Sequence, residues 1–130
     1  ATLAAVTGFK LSDQGMAEDS HDLLPILKGD KKSVRSTHVH NTFAKAWAIR
    51  HGDWLLINAK SGYHSRVSKD WEKRHQYPEE DGKPVELYNL AEDIGQRNNL
   101  AEKNPEKVKE LAALLQKIRE QGYSAPRLTK

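Results

Sequence analysis

The sequence has 130 residues, of which 37% are hydrophobic and 30% charged, with a net charge of +3. That length suits one domain. The absence of cysteine excludes disulfides, thiolate metal sites and a cysteine nucleophile within the chain. The charge excess is spread out: residues 1–65 hold eight basic and six acidic groups, and residues 66–130 hold thirteen and twelve. A nucleic-acid footprint needs a basic stripe. The nearest candidate, Lys28, Lys31, Lys32 and Arg35, is interrupted by Asp30 and reads as a solvated loop. No apolar run approaches the ~18 residues of a membrane span, and no signal peptide is visible.

Ala1 to Thr7 reads as the end of a helix, with Gly8 just past it. A chain that starts at Ala1 inside a helix, without Met, suggests a mature, cut or partial product. Asp22 to Gly29 reads as a short helix with Pro25 in its first turn and Gly29 after its end. Ser33 to His40 alternates in part and predicts a strand. Trp47–Arg50 and Trp54–Asn58 are aromatic and β-branched runs joined through His51-Gly52-Asp53, a hairpin signal. Within the second run Trp54 and Leu56 fall on one face, and Leu55 and Ile57 on the other, so both faces are expected to be covered.

Residues 60–84 are polar and irregular, with a helical turn expected around Lys69–His75. A loop of that length in a small domain is often functional. Val85–Asn89 predicts a further strand. The closing segment is the clearest: Asn104 suits an N-cap and Pro105 a first helical residue. Val108, Leu111, Ala112, Leu115 and Ile118 follow one helical face, and Gly122 ends the run. From Pro105 to Gln121 the rod is about 26 Å long at ~1.5 Å per residue. The expected class is α+β: a small, mainly antiparallel sheet of about four strands packed against a long C-terminal amphipathic helix.

Taken in order, these segments resemble the C-terminal region of sulfatases. Leu23-Leu24-Pro25-Ile26-Leu27-Lys28-Gly29 is similar to their LLP segment. Ala48-Ile49-Arg50-His51-Gly52-Asp53-Trp54-Leu55-Leu56-Ile57 is similar to their AIR-GDWKLI hairpin. Glu86-Leu87-Tyr88-Asn89-Leu90-Ala91-Glu92-Asp93, with Gln96 and Asn98-Asn99-Leu100, is similar to their ELYDL-D-E-NL run. Each motif is weak alone; their order over nearly the whole chain carries the resemblance. It is closest to the arylsulfatase A-like branch of the alkaline-phosphatase-like superfamily. Leu55 stands where Lys is usual, Ile94-Gly95 where Pro-Gly is usual, and Gln96 where Glu is usual; these look like surface or turn positions.

The resemblance implies a single C-terminal subdomain, residues 1–130, that is part of a longer chain. Its catalytic set lies elsewhere. Sulfatases use a formylglycine made from Cys or Ser in C/S-x-P/A-x-R, with a divalent cation, usually calcium, polarising the sulfate. Here Ser124-Ala125-Pro126-Arg127 has a Ser-to-Arg spacing of three where the motif needs four. No catalytic residue, metal ligand or cofactor is therefore expected in this chain; calcium is expected in the full-length enzyme. The implied partners are the N-terminal catalytic domain and a sulfate ester, with no nucleic acid and no membrane. The implied location is periplasmic or secreted, and the isolated chain is expected to self-associate.

The candidate substrate-binding residues are His38, His40, Asn41, Thr42, Lys45, Tyr63 and Arg66. On a strand, His38 and His40 share one face, and sulfatases of this branch carry a His-containing segment just before the AIR strand, at the pocket mouth. His40 would contact the sulfate or sugar, with Asn41, Thr42 and Lys45 assisting. Tyr63 could stack on a ring and Arg66 pair with sulfate. A structural histidine pair at a sheet edge is the competing reading. A zinc site would need His51, His64 or His75 as a third ligand, and no spacing signature supports one. A stand-alone anion- or protein-binding scaffold is the alternative for the chain as a whole.

Overall fold

The computed structural model describes residues 1–11, 17–30, 32–41, 46–59, 68–77 and 82–125. Four antiparallel strands form one sheet in the order β1 (Thr37–Asn41), β2 (Trp47–His51), β3 (Trp54–Asn58) and β4 (Glu86–Asn89). β2 and β3 meet in a tight hairpin whose last pair is His51 with Trp54. Gly52, the first turn residue, has φ 59°, a left-handed value that glycine tolerates without a Cβ clash. The predicted α+β class is the observed one. β1 begins later than the alternation suggests, because the Ser33 hydroxyl donates to Arg35 O and accepts from Arg35 N, closing a local turn before the ladder starts.

Helix α4 (Pro105–Gln121) lies against β2 and β3. Ile49, Leu56 and Leu87 from the sheet meet Leu111, Leu115 and Ile118 from the helix, with Ala101 beside them. Burying one such side chain is worth roughly 1.5–3 kcal/mol. Ala112, expected on the buried face, is exposed, and Leu114 packs against the core instead. Asn104 occupies the N-cap position, but its side chain does not cap the helix: Nδ2 donates to Leu100 O at 3.3 Å. The helix ends at Gly122 with φ 78°. The opposite sheet face buries Ala48, Leu55 and Tyr88, with Ile57 and Leu90 packed on them. Both faces are thus covered, as the alternation in β3 requires.

The outward edge of β4 is closed by the segment that follows it. Asn99 Oδ1 accepts from Leu87 N at 3.1 Å and from Ala101 N at 3.0 Å, while Asn99 Nδ2 donates to Val85 O at 3.2 Å. Leu100 N donates to Leu87 O at 2.8 Å. Asn89 O accepts from Glu92 N and Asp93 N. One side chain and a short run of backbone therefore do what a fifth strand would do. Asp93 Oδ2 holds the intervening turn by accepting from Arg97 N and Asn98 N, both at 2.7 Å. The left-handed residue of that turn is Gln96, φ 52°. These bonds give the Glu86–Leu100 motif a structural role.

Two short helices, α1 (Thr2–Thr7) and α2 (Leu24–Leu27), form a separate unit. Thr2 Oγ1 joins them, accepting from Leu23 N at 2.9 Å and donating to His21 O at 3.2 Å. Asp19 fastens this unit to the far end of the chain: its Oδ1 accepts from Ser124 N at 2.9 Å and Ser124 Oγ at 2.6 Å. Those bonds hold the Asp19 carboxyl below its ordinary pKa. Arg35 Nη2 adds a bond to Asp19 O at 2.6 Å. Helix α3 (Lys69–Arg74) occupies the expected helical turn, capped by Ser68 Oγ accepting from Trp71 N at 3.3 Å.

Candidate substrate-rim site

β1 sets the geometry of the histidine pair. Its register places His38 opposite Arg50 and His40 opposite Ala48, on the face away from α4, while Val39 packs into the core. The His38 and His40 ring centroids are 5.4 Å apart, so the two side chains do share a face. His38 Nδ1 lies 2.8 Å from Arg35 Nη1. A guanidinium only donates, so His38 Nδ1 accepts and any proton sits on Nε2. His40 is pushed below its ordinary pKa, first by desolvation and then by the neighbouring His38. It therefore favours the neutral imidazole, suited to directional hydrogen bonds more than to charge pairing. His51 faces Thr37, with Nδ1 2.7 Å from the hydroxyl.

At the end of β1 a cleft of about 580 Å³ opens between the sheet and the last turn of α4. His40, Asn41, Trp47, Arg119, Glu120 and Tyr123 border it. The antiparallel register brings Asn41 beside Trp47. Arg119 lies over the Trp47 ring, 4.6 Å from its centroid, which holds the cation in place at the cleft. Glu120 accepts from Gln116 Nε2 at 2.6 Å. The cleft thus combines an amide, an indole and a positioned guanidinium, with His40 at its border and the His40 side chain on the other sheet face. Such a set can hydrogen-bond hydroxyls, stack on a ring and bind an anionic oxygen.

Of the predicted residues, the structure brings His38 and His40 together on one sheet face, while Asn41 alternates to the α4 face beside Trp47; Thr42, Lys45, Tyr63 and Arg66 lie outside the described residues. So does His64 of the zinc alternative. Trp47 and Arg119 were not among the predicted site residues. Arg119 sits in the last turn of α4 with no local signal, and only the position of that turn over β2 brings it to Trp47. On α3, Trp71 stacks on His75 with centroids 4.1 Å apart, and Tyr77 lies 6.3 Å from Trp71. Among the described residues no group of three or more His, Asp or Glu side chains is arranged to hold a metal ion. The described residues therefore do not fit a sulfatase calcium site. No helix among the described residues is long and apolar enough to cross a membrane.

No family model and no curated protein sequence matches the chain. Solved structures do. A sulfatase described with the metabolism of multiple glycosaminoglycans by Bacteroides thetaiotaomicron superimposes with a TM-score of 0.68 at 28% identity, over 92% of this chain and 23% of its own. A second structure described as a sulfatase from that organism gives 0.58 at 21% identity, and a 2-O glycosaminoglycan sulfatase gives 0.56 at 22%, with the same coverage. The chain is similar to the C-terminal region of sulfatases. It spans about a quarter of the length of the sulfatases it matches, and the match takes in nearly all of its own residues. The AIR-like hairpin coincides with β2 and β3, and the ELYDL-like run with β4 and its plugged edge.

Proposed function

We propose that this chain is the C-terminal subdomain of a sulfuric ester hydrolase, that it completes the sulfatase fold, and that it supplies part of the substrate-pocket rim. The observation that carries this reading is the superposition on a sulfatase at 28% identity over 92% of this chain but 23% of the other. The substrate class is a carbohydrate or aryl sulfate; the matched sulfatase's link to glycosaminoglycan metabolism favours a sulfated sugar. The nucleophile and the calcium that such an enzyme uses belong to the part of a sulfatase that this chain does not match. The location implied by that family is periplasmic or secreted.

In this reading His40 and Asn41 hydrogen-bond sugar hydroxyls or sulfate oxygens, Trp47 offers a ring face, and Arg119 supplies the positive charge. His38, bonded to Arg35, stands beside His40 on the same strand face. Thr42, Lys45, Tyr63 and Arg66 are assigned to the same rim on sequence grounds. The chain alone performs no hydrolysis.

The test begins with the reading frame, which should encode C/S-x-P/A-x-R upstream of Ala1. The full-length protein should then hydrolyse a sulfated sugar, and His40→Ala should raise KM with little change in kcat, because a rim contact acts mainly on binding. Turnover by the purified 130-residue chain, or a frame without that motif, would overturn the proposal.

A further inference from the structure

The most anomalous surface of the molecule is on the α1–α2 unit. Leu3 is 80% exposed, Leu27 72%, and Val6 and Phe9 60% each; Leu23 and Ile26 are also exposed. Neither helix buries a single residue. Leu3 and Val6 stand three apart on α1, and Leu23, Ile26 and Leu27 stand three and four apart around α2, so each helix gathers its apolar residues on one side. Residues 1–9 and 23–27 contain no charged side chain, in a chain that is 30% charged. Scattered exposed apolar residues are ordinary, but a charge-free set gathered on two helices that touch each other marks a contact surface. The two helices are also held in a defined relation by Thr2 and by the Asp19–Ser124 clasp, so the surface is built and not merely loose.

We infer that this apolar face of α1 and α2 is the surface on which the subdomain docks against the catalytic portion of its sulfatase. The inference rests on the sulfatase reading above and adds the location of the joint. Its occupant follows from length. The superimposed part of this chain is 92% of 130 residues, which leaves out about ten. The unit from Thr2 to Leu27 is larger than that, so most of it lies inside the sulfatase match. The matched sulfatase has a further three quarters of its length outside the match. The face fits an apolar partner surface and offers no charge to steer a nucleic acid or an acidic peptide.

Hydroxyl-radical footprinting of Leu3, Val6, Phe9 and Leu27 tests this. The 130-residue chain is labelled at several concentrations beside the protein encoded by the full reading frame. The expected result is labelling at least about fivefold lower in the full-length protein, with Ile94, which is 79% exposed, as an unchanged reference. Equal labelling in a full-length protein that carries C/S-x-P/A-x-R would overturn the docking surface and leave the sulfatase reading standing. Protection that grows with concentration in the full-length protein as well as in the short chain would identify a second copy as the occupant and overturn the inference. A frame without the motif overturns the sulfatase reading itself, whatever the labelling.

Discussion

The sheet with α4 and the α1–α2 unit are built from similar residues and treat them in opposite ways. Ile49, Leu56, Leu87 and Leu111 are fully buried, while Leu3, Val6, Phe9 and Leu27 face outward. The first unit has what an isolated domain needs: complementary faces, short connections between β2 and β3, and a long helix to close one side. The second has helices of six and four residues, too short to stand on their own propensity. It is held by a few hydrogen bonds at its base. The difference teaches that the chain contains one core closed by its own elements and one apolar unit left uncovered by the rest of the described residues.

The largest expected effect is in the first unit. Leu111→Ala should cost about 2–5 kcal/mol in urea unfolding, whereas Leu3→Ala should stay within about 0.5 kcal/mol in the 130-residue chain. Comparable losses from the two substitutions would break the contrast. Next comes Asn99→Ala, which strands Leu87 N–H at the β4 edge and should cost about 1–3 kcal/mol. Hydrogen exchange should show the loss concentrated at Leu87 and Ala101. A smaller effect, about 1 kcal/mol, is expected for Asp19→Ala. There the measurement that sharpens the contrast is faster exchange in α1 and α2 with the sheet unchanged; uniform destabilisation would mean that the units are more tightly coupled than described.

The smallest effect is that of pH. His21 and His40 both have folded pKa values lowered from 6.5, chiefly by desolvation, so the unfolded chain binds protons first as pH falls. Stability from these groups is complete above about 6.5 and declines as pH drops through their folded values. Asp19 is lowered from 3.8, so its contribution persists further and is lost below that value. The melting temperature should therefore fall in two acid steps, and His40→Gln should shrink the first. A melting temperature that rises on mild acidification would reverse the sign and sink the account.

Much of this architecture was legible in the sequence, because the β2–β3 hairpin and α4 are specified by local signals. Gly52 in a two-residue turn and Pro105 with Gly122 at the helix ends mark those elements without reference to the rest of the fold. The errors lie where tertiary packing decides. At 3.6 residues per turn, Ala112 and Leu114 sit about 80° to either side of the buried stripe, so periodicity alone cannot say which flank the sheet covers. Ser33 and Arg35 read as strand until the Ser33 hydroxyl is seen to close a turn. At the site, alternation was enough to put His38 and His40 on one face. Arg119 was out of reach, because its proximity to Trp47 joins residues far apart in sequence through the placement of a whole helix.

The plug at β4 has a consequence for assembly. Indefinite sheet growth, the geometry of a fibre, requires two open edges per chain. In this chain the outward groups of Val85, Leu87 and Asn89 are already engaged by Asn99, Leu100 and the turn behind them. Of the two edge strands, β1 and β4, β4 is covered in this way, and β1 has no strand on its outer side among the described residues. Two copies could join β1 to β1, and the joined sheet would then present a plugged β4 at each end. Asn99 thus works as a chain terminator: association through the sheet stops at a pair.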